Sequence, residues 1–88
     1  MDSQMIRADA LSVGDVIDWR GVPVEVLSVE IGRTVEIVVH VVAESMPPFR
    51  FTFPTLTAEE WNAEWTDEDF AARREADLAA EQFTLIET

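Results

Sequence analysis

Arg33-Thr34-Val35-Glu36-Ile37-Val38-Val39-His40-Val41-Val42-Ala43 holds seven β-branched residues in eleven and neither Gly nor Pro. Branching at Cβ stiffens χ1 and fits a side chain to a pleated sheet, so the stretch reads as a central strand. Alternation puts Val35, Ile37, Val39 and Val41 on one face and Glu36, Val38, His40 and Val42 on the other. The first face is fully apolar. Val38 and Val42 make the second one apolar enough to predict cover there too, from a curled sheet, a helix or a partner subunit.

Upstream, Val22 to Glu30 begins with Val22, Val24 and Val26 on one face, after which Leu27, Val29 and Ile31 form the apolar set. The phase flips near Val26-Leu27. A one-residue slip reverses the buried face, so the flip predicts a bulge that bends the strand. Arg20-Gly21 between Trp19 and Val22 predicts a tight hairpin in which Arg20 must accept positive φ, a conformation arginine disfavours. Met5 to Arg7 predicts a brief additional strand, and Met1 to Gln4 a polar lead-in.

Downstream, Pro47-Pro48 breaks the run, and Phe49-Arg50-Phe51-Thr52-Phe53 alternates strictly, with three Phe inward and Arg50 and Thr52 outward. Pro54 ends the sheet region. Thr57-Ala58-Glu59-Glu60 has capping-box spacing, predicting a short helix from Ala58 to Trp65. Thr66-Asp67-Glu68-Asp69 puts a hydroxyl at a second cap with three acids in the following turn, predicting a helix from Asp67 to about Ala80. Residues 82–87 are β-prone and predict a closing strand.

One domain is all that 88 residues allow. The predicted class is α+β, mainly β: strands within residues 6–56, an acidic helical segment at 57–80, and the closing strand at 82–87. The central reading is a five-stranded, strongly bent antiparallel sheet or partly open barrel.

The charge narrows the choice of partners. Eighteen acids against six Arg and no Lys give a net charge of −12, which repels phosphate backbones and anionic membranes. Residues 57–88 carry ten of those acids and two Arg. Such a surface serves either as a solvated helix face or as a docking surface for a basic protein. Arg without Lys, with abundant Ala, Asp and Glu, points to a GC-rich genome such as that of an actinobacterium or one of its phages. Cysteine is absent, no secretory leader pattern opens the chain, and no apolar run is long enough to span a bilayer. The expected location is the cytoplasm, or a virion.

No nucleophile, base and orienter can be assembled from these residues, and the carboxylate pairs are no more than 18 acids in 88 residues produce by chance. His40 reads as a structural histidine. No cofactor or metal is expected. The leading expectation is a non-enzymatic protein–protein interaction module, an oligomer or an accessory structural subunit of a larger assembly such as a phage particle. The alternative is an acidic inhibitor that occupies the basic site of a nucleic-acid-binding protein. Candidate interaction residues are Trp61 and Trp65, one helical turn apart, with Glu59, Glu60, Glu64, Asp67, Glu68 and Asp69, together with Arg50 on its strand. The two Trp are expected either to close the sheet over Phe49, Phe51 and Phe53 or to leave one ring exposed as an anchor.

The segment from Ile6 to Val42 resembles a small SH3-like barrel. Leu11-Ser12-Val13-Gly14-Asp15-Val16-Ile17, then Gly21-Val22-Pro23, then Val26 through Val29-Glu30, is similar in spacing to the first, KOW-like domain of bacterial elongation factor P and to small barrel proteins of actinobacteria and their phages. The elongation-factor domain carries a Lys-bearing loop between its second and third strands, where this chain has Glu30-Ile31-Gly32-Arg33. The resemblance therefore implies a fold and no tRNA or ribosome role.

Overall fold

The valine-rich centre is a strand in a computed structural model that describes residues 4–86. Six antiparallel strands form one sheet: β1 (Gln4–Arg7), β2 (Val16–Trp19), β3 (Val22–Ile31), β4 (Val35–Val41), β5 (Phe49–Phe53) and β6 (Gln82–Leu85). Two helices, α1 (Ala58–Trp61) and α2 (Asp67–Ala80), separate β5 from β6. The spatial order is β1-β6-β2-β3-β4-β5, and the sheet does not close.

Burial alternates along β4, with Val35, Ile37, Val39 and Val41 in the core. Opposite them stand Phe53, Phe51 and Phe49 of β5, in register with Val35, Ile37 and Val39. On the other side the β3 register slips between Val26 and Ser28, leaving Leu27 as the extra residue. Val24 and Val26 precede the slip and Val29 follows it, all on the inner side, which is the phase change visible in the sequence. A bulge adds local twist and bends the strand. The resulting curl is measurable: four strand spacings of about 4.8 Å would set β5 and β6 about 19 Å apart in a flat sheet. Yet the Phe51 and Phe83 rings lie 5.3 Å apart, centroid to centroid.

The hairpin between β2 and β3 turns through Arg20 (φ 53°) and Gly21 (φ 84°), both in the left-handed region. Asp18 Oδ1 accepts from the Gly21 N–H at 2.7 Å, and the Arg20 guanidinium lies over the Trp19 ring at 5.3 Å. Asn tolerates this backbone better than Arg by up to about 1 kcal/mol. Losing an exposed cation–π contact removes about 0.5 kcal/mol of that gain. Arg20→Asn is therefore expected to stabilise the fold by about 0.5 kcal/mol, a rise of a few degrees in Tm by differential scanning calorimetry.

Strand β6 ties the chain's two ends together. It pairs with β1 from Gln4↔Leu85 to Arg7↔Gln82 and with β2 at Ile17↔Leu85 and Asp18↔Thr84. Helix α2 lies across the fold through Leu78, which joins the main core, and through Phe70. Arg7 grips Glu75 with both terminal nitrogens, and Arg74 Nη1 donates to the carbonyls of Gly32 and Arg33 at 2.7 and 2.8 Å. The helix thus spans from the β1 end of the sheet to the β3–β4 turn.

Several expectations are corrected. The sheet has six strands rather than five, because Gln4–Arg7 pairs fully with β6. Helix α1 ends at Trp61 rather than Trp65: the Glu60 carbonyl is taken by the Ala63 N–H at 3.2 Å and the Trp65 indole N–H at 2.6 Å, which tightens and stops the turn. The second face of β4 gains no cover comparable to the first; Val38 is half-buried and Val42 is 52% exposed. Polar pairs occupy that face instead, Glu25 with His40 and Glu36 with Arg50. The closing strand ends at Leu85, although Ile86 N–H still donates to the Val16 carbonyl at 2.8 Å. Residues 1–3 of the expected lead-in, residue 87 of the expected closing strand, and residue 88 lie outside the described residues.

Candidate functional site

The acidic corner is built by two successive caps. Thr57 Oγ1 accepts from the Glu60 N–H at 3.2 Å while Glu60 Oε1 accepts from the Thr57 N–H at 3.1 Å, a complete capping box. Thr66 Oγ1 accepts from the Asp69 N–H at 3.0 Å and starts α2, with Asp67, Glu68 and Asp69 in its first turn. Carboxylates there oppose the positive end of the helix dipole, so their charge favours the helix while facing solvent.

Trp61 and Trp65 do not close the sheet. Their rings meet Phe70 of α2, at 6.0 and 6.2 Å between centroids, and the Arg33 guanidinium covers Phe70 at 4.5 Å. Trp19 instead packs against Phe49 and Phe51, at 4.9 and 6.0 Å. The reason is chain connectivity: α2 begins right after Trp65, which puts Phe70 within reach before any strand is. Trp65 is half-buried and spends its N–H on Glu60, whereas Trp61 is 48% exposed.

The candidate residues therefore divide. Glu60 is a structural group, bonded to Thr57 and to Arg73 Nη1. The Thr57 backbone N–H, then Arg73, hold its carboxyl below the ordinary value. Glu75 is lowered likewise by Arg7. Arg50 lies away from the corner, on the outer face of β5 beside Glu36 at 3.3 Å. Glu59, Glu64, Asp67, Glu68 and Asp69 stay exposed, and no ion pair engages any of them among the described residues.

Every arginine, by contrast, is spent within the fold. Arg7 serves Asp9 and Glu75, Arg20 covers Trp19, and Arg33 covers Phe70. Arg50 serves Glu36, Arg73 serves Glu60 and Asp77, and Arg74 serves two carbonyls. The sequence exposes the acids but not this engagement, since most of the partners are distant in the chain. His40 Nε2 lies 2.8 Å from Glu25 Oε1, its register partner across β3 and β4. Among the described residues no three His, Cys, Asp or Glu side chains are grouped to hold a metal ion, and no helix is long and apolar enough to cross a membrane.

The lowered carboxyls give the helical corner a pH dependence. A depressed pKa contributes stability above the unfolded value and loses it as pH falls through the folded value. The corner is therefore expected to loosen as pH drops below the usual carboxylate value of 4.5. Tryptophan emission followed during acid titration checks this. Glu60→Gln should show a smaller acid-dependent change than the wild type, and equal titrations would remove Glu60 as the cause.

One feature escaped sequence reasoning, a groove on the open side of the sheet lined in part by Trp19, Phe51 and Phe83. The inward alternation of Phe51 is its one signal in the sequence, since Trp19 and Phe83 reach it only through the curl of the sheet. Comparison of the chain with protein-family models, curated proteins and solved structures finds no match.

Proposed function

We propose that this protein is a non-enzymatic protein–protein interaction module that recognises a basic partner protein. The observation that carries this reading is charge segregation: six arginines turned onto the fold's own groups, and five exposed carboxylates between residues 59 and 69 that no cation engages among the described residues. A surface of one sign steers a partner of the opposite sign, and a half-exposed Trp supplies an apolar anchor at its centre. The SH3-like reading of the bent sheet belongs to the same proposal, supported by the turns at Gly14 and Gly21 and the bulge at Leu27. So does a role as an accessory subunit of a larger assembly such as a phage particle.

Affinity capture from the native host or virion, followed by size exclusion with light scattering, tests it. A retained basic partner should weaken steeply with salt and with Glu59→Gln, Glu64→Gln and Glu68→Gln combined, and Trp61→Ala should cost affinity with little loss of stability. A persistent monomer with no retained partner would overturn the reading. A second reading, an acidic inhibitor covering the basic site of a nucleic-acid-binding protein, is favoured by the run of carboxylates from Glu59 to Asp69. Competition between this chain and duplex DNA for the captured partner separates the two.

A further inference from the structure

Among the described residues the sheet has two unpaired edges, β5 and β1, and its curl brings them to opposite sides of the groove on the open side. Met5 lines it from β1 and Phe51 from β5, while Trp19 and Phe83 contribute aromatic surface. Alternate residues of β5 point their N–H and C=O groups away from β4, and among the described residues no other strand takes them. The edge is short and fenced. Pro47 and Pro48 precede it, Pro54 follows it, and Thr55 beyond is tied to α2 by its N–H to Asp77 at 2.9 Å and its carbonyl to Arg73 at 3.2 Å.

The charge around this groove indicates what fits it. Helix α2 runs its C-terminal end into the lining through Ala79 and Ala80, with no basic residue in the last turn to offset the negative end of the dipole. Asp18 and Glu81 add two carboxylates to the rim. The one cation in the lining, Arg20, lies over the Trp19 ring in an exposed cation–π contact that an incoming guanidinium can replace. Aromatic faces, carboxylates and a helix C-terminus together favour a cation carried on an apolar stem.

We propose that the groove seats an extended segment of a basic partner protein, which adds to β5 as a further strand and lays Arg or Lys side chains on the Trp19, Asp18 and Glu81 rim. Strand addition takes its affinity from main-chain hydrogen bonds and its selectivity from alternate side chains. This deepens the interaction-module reading and rests on it.

Titration of the 15N-labelled full chain with a short peptide of alternating Arg and Val tests the proposal, followed by amide and indole shifts. Shifts are expected at the Trp19 indole, along β5, at Met5 and at Ala80. N-methylation of alternate peptide residues is expected to weaken binding roughly tenfold, because two or so main-chain hydrogen bonds are lost. Glu81→Lys, with its fold checked by circular dichroism, should weaken it about fivefold. Shifts confined to residues 59–69 and indifferent to N-methylation would overturn the groove and leave the interaction module standing. Shifts along β5 that depend on protein concentration without peptide would assign the edge to a second copy and overturn the proposal as well. Absence of binding up to about 1 mM peptide would overturn it too, while a partner captured from the host would still support the module.

Discussion

Phe53→Ala is expected to cost about 3–5 kcal/mol, the usual range for deleting a buried phenyl ring. A domain of 88 residues holds roughly 4–13 kcal/mol in total, so the variant should sit near or past its unfolding threshold at room temperature. Phe53 is 1% exposed, faces Val35 in register and meets the Phe83 ring edge-on at 6.5 Å. Its ring therefore helps hold β5 to β6 across the curl, in addition to filling the core. Urea unfolding followed by circular dichroism measures the loss. A change under about 1 kcal/mol would mean that the curl does not depend on this ring.

Leu78→Ala carries the second largest expected effect, about 2–5 kcal/mol. Leu78 is 2% exposed and is the α2 residue that enters the main core, whereas Phe70 packs in a separate cluster under Arg33 and the two tryptophans. Strand β6 follows α2 directly and holds β1 to the rest of the sheet. Loosening the helix should thus destabilise the sheet with it. Far-ultraviolet circular dichroism and Trp19 emission, with Trp61 and Trp65 replaced by Phe, should report one shared transition shifted to lower urea. Separate helix and sheet transitions would show that α2 is an independent unit.

Much of the sheet was legible because local rules and tertiary packing agree along it. The Val26-Leu27 phase change marks the bulge, Arg20-Gly21 marks a turn that needs positive φ, and the Phe49-Phe51-Phe53 alternation marks the inner face of β5. Both helix starts were legible for the same reason, since a cap is a contact between residues three apart. What escaped depends on distant pairing. Nothing in Gln82 to Leu85 says that this strand inserts between β1 and β2 rather than lying at an edge. The partner of Trp61 could not be told from its spacing, because Phe70 and the β5 phenylalanines offer the same kind of apolar contact. Of the candidate site, which of the two Trp rings stays exposed could not be told, whereas the exposed acids were legible. The loss of Glu60, Trp65 and Arg50 to internal bonds was not, because each bond needs a folded neighbour.

The prolines on either side of β5 have a consequence for solubility under crowding. A naked strand edge ordinarily invites end-to-end growth into ribbons, and long flat edges are the ones that nucleate it. Here the exposed register is five residues long, and the chain at both ends cannot extend the ladder. A growing fibril finds little foothold on such an edge, so β5 is not expected to nucleate ribbons in concentrated solution.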